Sequence, residues 1–408
     1  MLKQYIHISF LFFLMVALSG VYMRIYPWIV HSTIPYDHLL HAHSHLALLG
    51  WEFLAAFILF LAICWKHIIT KKQAIAICFS LVLVSILMFF AFLYQGYSVF
   101  SIIMSTLHIF IEYWVAVFVY KLIKTMKKGY RIAAIYINGA LIALVISSIG
   151  PYALAFISAN GWKEYAAFDM SVYFYLHFQY NGWLTLFLIG IFLLILQVKR
   201  IQFNERLLYL GFWIYFISLF PSYLLSVLWV EQFGVGVHII GSIGSIGQWI
   251  GVIIIIFAIK KSIVSFKRHF SKLIRVSLFL TFLLLLLKST MELGLISPSL
   301  AELVYDTRSI IIGYLHLTLL GFISIFILAQ FLMIGFLSSN KLTSTSFTIF
   351  LIGFIFTELL LFIQGLWGWI GLSTIPFYNE GLLIASILLA IGVLVLWLSI
   401  KQGKPYLE

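Results

Sequence analysis

The feature that most constrains this chain is the length of its uncharged apolar runs. Residues 74–94, for example, contain no charged side chain, and comparable runs recur from end to end. Such a run is long enough, as a helix rising 1.5 Å per residue, to cross a hydrocarbon core ~30 Å thick. The runs are continuous rather than alternating, which excludes a membrane β-barrel. Hydrophobic residues make up 63% of 408 positions and charged residues only 9%, so little of the sequence lies outside such runs. The pattern predicts an all-α polytopic membrane protein. Its twelve spans are expected at about 6–27, 38–65, 73–95, 100–121, 132–157, 169–198, 206–230, 234–259, 273–296, 308–336, 345–370 and 378–400. The first span lacks a small-residue cleavage site and reads as retained. Two cysteines, Cys64 and Cys78, sit inside apolar runs and offer neither a disulfide framework nor a thiolate metal site.

The formal net charge of +12 would suit a nucleic-acid partner, but its distribution gives another explanation. All but four of the 25 basic residues fall at the N-terminus, after an even-numbered span or at the C-terminus. The exceptions are Arg24, Lys163, Lys288 and Arg308. The positive-inside rule then places both termini in the cytoplasm of a cell with an inner membrane, and every even span starts at the outer face. Lipid is the expected partner and nucleic acid is not.

A short figure repeats three times. HAHSHLALLGW at 41–51, HFQYNGW at 177–183 and HLTLLGF at 316–322 each place a glycine and an aromatic five and six positions after a histidine. The spacings, 132 residues from His45 to His177 and 139 from His177 to His316, each span about four segments. This suggests one membrane domain over 1–408, built from three pseudo-symmetric four-helix units at about 1–127, 128–268 and 269–408. A charged residue stands eight positions before each motif histidine: Asp37, Asp169 and Arg308. Segments 4 and 8 add His108 and His238. All five histidines lie ~10–12 Å inside the starts of their segments, where an ionisable group is costly and usually functional. For any one of them, a hydrogen bond to a neighbouring helix is an equally good reading.

Neutral imidazoles in an apolar layer suit metal or haem ligation. The glycines would let a macrocycle or a neighbouring helix approach. Arg24, Arg308, Lys163 and Lys288 are the candidate partners of haem propionates. His41 and His45 share a helix face, whereas His43 points nearly the other way. His108 and Glu112, four apart, can pair so that the carboxylate orients the imidazole. Gly241, Gly244 and Gly247 read as a close helix contact.

These residues resemble subunit I of the haem-copper oxidases and nitric oxide reductases. YLHLTLLGF is similar to that family's helix 10 pattern, closest to the C-type enzymes, and GFIFTELLLFIQGLWGW is similar to its helix 11. The resemblance implies a low-spin haem b held by His45 (alternatives His43 and His41) and His316. It also implies a second metal, Cu or Fe, for which His177 is the matching ligand and His108, His238 and Glu112 are supplementary candidates. Two departures stand out: Tyr314 replaces the first helix 10 histidine, and segment 7 contains no histidine. Three functions remain open. The first is electron transfer in a respiratory chain, with O2 or NO reduction at a rebuilt site, fed by a cytochrome, a quinol or partner subunits. The second is an NnrS-like haem-copper accessory protein of NO stress without turnover. The third is a transporter of metals or small solutes.

Overall fold

Why a chain this apolar forms helices follows from its solvent. Backbone N–H and C=O groups in hydrocarbon must be satisfied within the same segment. The computed structural model describes residues 2–29, 32–126, 128–162, 164–230, 233–260 and 262–400. Among them, twelve helices are long and apolar enough to cross a membrane. They are α1 (Leu2–Trp28), α2 (Tyr36–His67), α3 (Lys71–Gln95), α4 (Val99–Thr125), α5 (Arg131–Ala159) and α6 (Ala166–Val198). The series continues with α7 (Glu205–Val227), α8 (Val235–Lys260), α9 (Lys272–Gly294), α10 (Arg308–Met333), α11 (Lys341–Trp369) and α12 (Tyr378–Leu398). Each matches one expected span, with ends shifted by a few residues.

The three motif copies share a local structure that spacing alone does not announce. In each, the α-helix runs up to the motif histidine and then widens into a π-helix. The π segments are Leu46–Phe53 after His45, Phe178–Leu184 after His177 and Leu317–Ile323 after His316. A wider turn shifts hydrogen bonding to the fifth residue and re-aims the side chains beyond it. Hydroxyls serve the same carbonyls: Thr185 donates to Tyr180 O at 2.6 Å and Ser324 to Leu319 O at 2.9 Å. The motif aromatics pack as core. Trp51 stacks on Phe13 at 4.2 Å and Trp183 on Phe187 at 4.2 Å. In two copies the glycine admits a neighbouring helix, since a Cβ at Gly182 would meet Ala143 and one at Gly50 would meet Phe12.

The chain divides into two compact units. The first comprises residues 1–122 and 327–408, hence α1–α4, α11, α12 and the end of α10. Here α11 and α12 lie close along two glycines. A Cβ at Gly353 would fall 2.9 Å from Ala385 O, and one at Gly392 would fall 2.8 Å from Phe350 Cα. α1 packs on α12 and α2, with Phe13 edge-on to Phe350.

The second unit comprises residues 123–326. α7 and α8 form its tightest pair. Gly241, Gly244, Gly247 and Gly251 of α8 all face α7, so the glycine series is a helix contact as the sequence suggests. From Phe178 to Leu196, α6 is enclosed, each residue of that stretch being buried. Polar side chains on α6 therefore have only other helices to pair with.

Candidate functional site

Polar groups in these units sort by what each imidazole nitrogen does. A neutral imidazole has one N–H and one lone pair, and only the lone pair binds metal. The tautomer is therefore read from the hydrogen-bond partner of the other nitrogen.

On the α1 side of α2, His43 Nδ1 lies 3.0 Å from Val16 O and 3.0 Å from Ser19 Oγ. The carbonyl can only accept, so Nδ1 carries the proton and donates. Ser19 also donates to Val16 O, at 2.8 Å. The lone pair of His43 is then on Nε2, and the ring is oriented by a backbone carbonyl, as in many histidine ligands. A Cβ at Gly20 would lie 3.5 Å from His43 Cε1, an ordinary contact, so α1 passes His43 at normal packing distance there. Arg24 stands one turn beyond Gly20 on α1.

His41 and His45 occupy the opposite face of α2, as their spacing predicts. His45 stacks on Phe92 of α3 with ring centroids 4.3 Å apart and planes 13° apart. His41 meets Tyr97 edge-on at 5.3 Å. On α4, His108 is fully buried, and its Nδ1 lies 2.8 Å from Glu112 Oε1. This pairing follows from the four-residue spacing. His108 Nε2 is buried with no hydrogen-bond partner.

In the second unit His177 behaves differently. Its Nε2 donates to Leu219 O of α7 at 2.8 Å, and its Nδ1 accepts from Asn181 Nδ2 at 3.2 Å. Both nitrogens are used, so His177 has no lone pair for the second metal expected of it. Asn181 also donates to Glu292 Oε1 at 3.2 Å. Lys288, buried on α9, pairs with Glu292 at 3.2 Å and donates to Asn181 Oδ1. Its ammonium lies 5.3 Å from the Tyr180 ring centroid and 6.0 Å from that of Tyr314. Tyr314 donates to Glu292, and Tyr215 donates to Asn181 O at 2.8 Å. Lys288 is thereby spent inside the unit and is not available to a propionate. Glu292 and Asn181 are the residues that sequence reasoning missed. The four-residue spacing of Lys288 and Glu292 was the available signal for the first.

The remaining candidates are dispersed. His238 is half-buried in the first turn of α8, so it does not share the depth expected of the five histidines. Arg308 is exposed at the start of α10, and His316 is half-buried where that helix turns from α to π. Lys163 lies outside the described residues. Among the described residues, no three His, Cys, Asp or Glu side chains converge as a metal-holding group. The residues thus fit a haem ligand at His43, but do not fit the second metal centre in the second unit.

No protein-family model matches this sequence, and no curated protein matches it. Among solved structures, the chain is similar to one described as a haem-copper terminal oxidase dimer, determined by cryo-electron microscopy. The TM-score is 0.71 at 14% identity, over 100% of this chain and 86% of that chain. The protein therefore has a twelve-span, all-helical fold similar to that of a haem-copper terminal oxidase.

Proposed function

We propose that the protein is a haem-binding electron-transfer protein of the membrane, with one b-type haem and no gas-reducing centre. The observation that carries this reading is the Nδ1–H bond of half-buried His43 to Val16 O, which leaves the lone pair on Nε2 and the ring held in one orientation. In this reading His43, an alternative in the family resemblance, takes the role that the resemblance gave first to His45. The family resemblance also names His316, on α10, as a haem ligand. A bound haem supplies a reversible one-electron centre. His43 would hold the iron, Val16 and Ser19 would keep its imidazole in one tautomer and orientation, and Arg24, further along the same α1, would be the candidate partner of a propionate. Reduction of O2 or NO is not part of this reading, because His177 and Tyr314 are committed to Leu219, Asn181 and Glu292. Electrons come from an outside donor, a cytochrome or a quinol in the same inner membrane, with both termini cytoplasmic by the charge rule.

The ultraviolet-visible spectrum of the purified, reduced protein tests this. Sharp α and β bands are expected in the wild type. They should be lost in His43→Ala and in His316→Ala, and kept in His45→Ala. Low-spin bands that persist in His43→Ala and vanish in His45→Ala would overturn the assignment.

A further inference from the structure

Where α6 ends and α7 begins, the second unit has an open cavity of about 330 Å3 that the haem reading does not use. That volume is at the small end of ligand pockets, ~300–1,000 Å3. Arg200 and Glu205 line it together, with Gln197 and Phe203 beside them. Among the described residues, neither charge forms an ion pair. The neighbouring Lys199 is engaged elsewhere, its ammonium 5.8 Å from the Phe270 ring centroid.

The walls of this cavity are fixed without help from either charge. Gln197 donates from its side-chain amide to Gly129 O at 2.8 Å, tying the α4–α5 connection to the end of α6. Ser262 donates to Gln202 O at 2.8 Å, Asn204 N–H donates to Ala258 O at 3.2 Å, and Ile201 is buried. Asn204 Oδ1 caps α7 by accepting from Leu207 N–H at 3.1 Å.

The backbone at Arg200 is an independent observation. α6 closes with Arg200 N–H on Gln197 O at 3.0 Å and Ile201 N–H on Leu196 O at 2.9 Å, and Arg200 has φ 55°. Glycine is the usual residue at this left-handed position, because it has no Cβ to clash. α5, α10 and α11 end in the same pair of bonds, with Gly161, Gly335 and Gly371 at that place. An arginine works against such a turn. What it contributes is its side chain, and that side chain lines the cavity.

We propose that the cavity binds the phosphoethanolamine head group of a membrane lipid, with the phosphate on Arg200 and the ammonium on Glu205. Two membrane-spanning helices meet their ends here, so the cavity lies at the depth of lipid head groups, on the cytoplasmic side by the charge rule. A guanidinium makes forked bonds to phosphate. A purely anionic head group would set its charge against Glu205, whereas an ammonium turns that repulsion into attraction. The site shares no residue with the proposed haem ligands, so lipid and haem contents report on the two readings separately.

The test is native mass spectrometry of the full-length protein, delipidated in detergent and titrated with short-chain phosphatidylethanolamine, phosphatidylcholine or phosphatidylglycerol. One phosphatidylethanolamine per chain is expected, bound more tightly than the other two and not displaced by an equal concentration of inorganic phosphate. Arg200→Gly should weaken it at least about tenfold, as the loss of a charge-assisted contact requires. The same variant should not lower the lipid-free thermal midpoint, because glycine suits the turn. Glu205→Gln should also weaken phosphatidylethanolamine and no longer favour it over phosphatidylglycerol. The proposal is overturned if wild type binds phosphatidylglycerol as tightly as phosphatidylethanolamine, or if inorganic phosphate displaces the lipid, which marks a phosphate site only. It is overturned equally if either variant binds phosphatidylethanolamine as the wild type does.

Discussion

Lys288 and Glu292, one helical turn apart on α9, form an ion pair at 3.2 Å in the interior of the second unit. Asn181 of α6 and Tyr314 of α10 bond to the same pair, so one charge cluster ties three helices together. Removing one charge leaves the other buried and alone, which costs ~3–5 kcal/mol. Lys288→Met should therefore lower the unfolding midpoint in detergent steeply. Lys288→Met/Glu292→Met should recover much of that loss, because the uncompensated charge is gone. A double mutant as unstable as the two single effects added together would show that the pair is not coupled.

His177 spends its two nitrogens on Leu219 and Asn181. His177→Ala is expected to leave the haem spectrum and the iron content unchanged. It should cost ~1–3 kcal/mol of stability, from the carbonyl and amide left unpaired. A loss of bound iron or copper in this variant would restore His177 as a ligand.

If His43 and His316 both hold the proposed haem, carbon monoxide should find no open site. Adding CO to the reduced protein should shift neither the Soret band nor the α band. A shift in the wild type would reveal an open coordination position and reinstate gas chemistry.

The contact between α7 and α8 depends on having no side chain at Gly251, where a Cβ would come 2.9 Å from Tyr215 N and Cα. Backbone atoms cannot swing aside, so Gly251→Ala should destabilise by ~1–3 kcal/mol. Gly368→Ala on α11 is the control, since a Cβ there has nothing within 4 Å. Equal thermal midpoints for the two variants would contradict the packing described.

Much of the fold is legible in the sequence, because the signal is local. A run of apolar residues sets the length of a span wherever it sits. The four-residue spacing likewise places His108 beside Glu112, and His41 on the face of His45. The widening of each motif into a π-helix was not legible, because the glycine and aromatic that mark it occur in ordinary α-helices too. Nor was the choice among His41, His43 and His45: spacing separates their faces but does not say which helix each face meets. Asn181 was hidden for the same reason, lying in a motif read for its histidine and aromatics.

The sequence by itself determined twelve spans, three equivalent histidine positions and the pairs four residues apart, all properties of a single helix. Only the tertiary structure decided what each imidazole does. The free nitrogen of a histidine depends on which group takes the other one. For His43 that group is Val16 on α1, and for His177 it is Leu219 on α7. These partners come from other helices, and only packing brings them within hydrogen-bond distance.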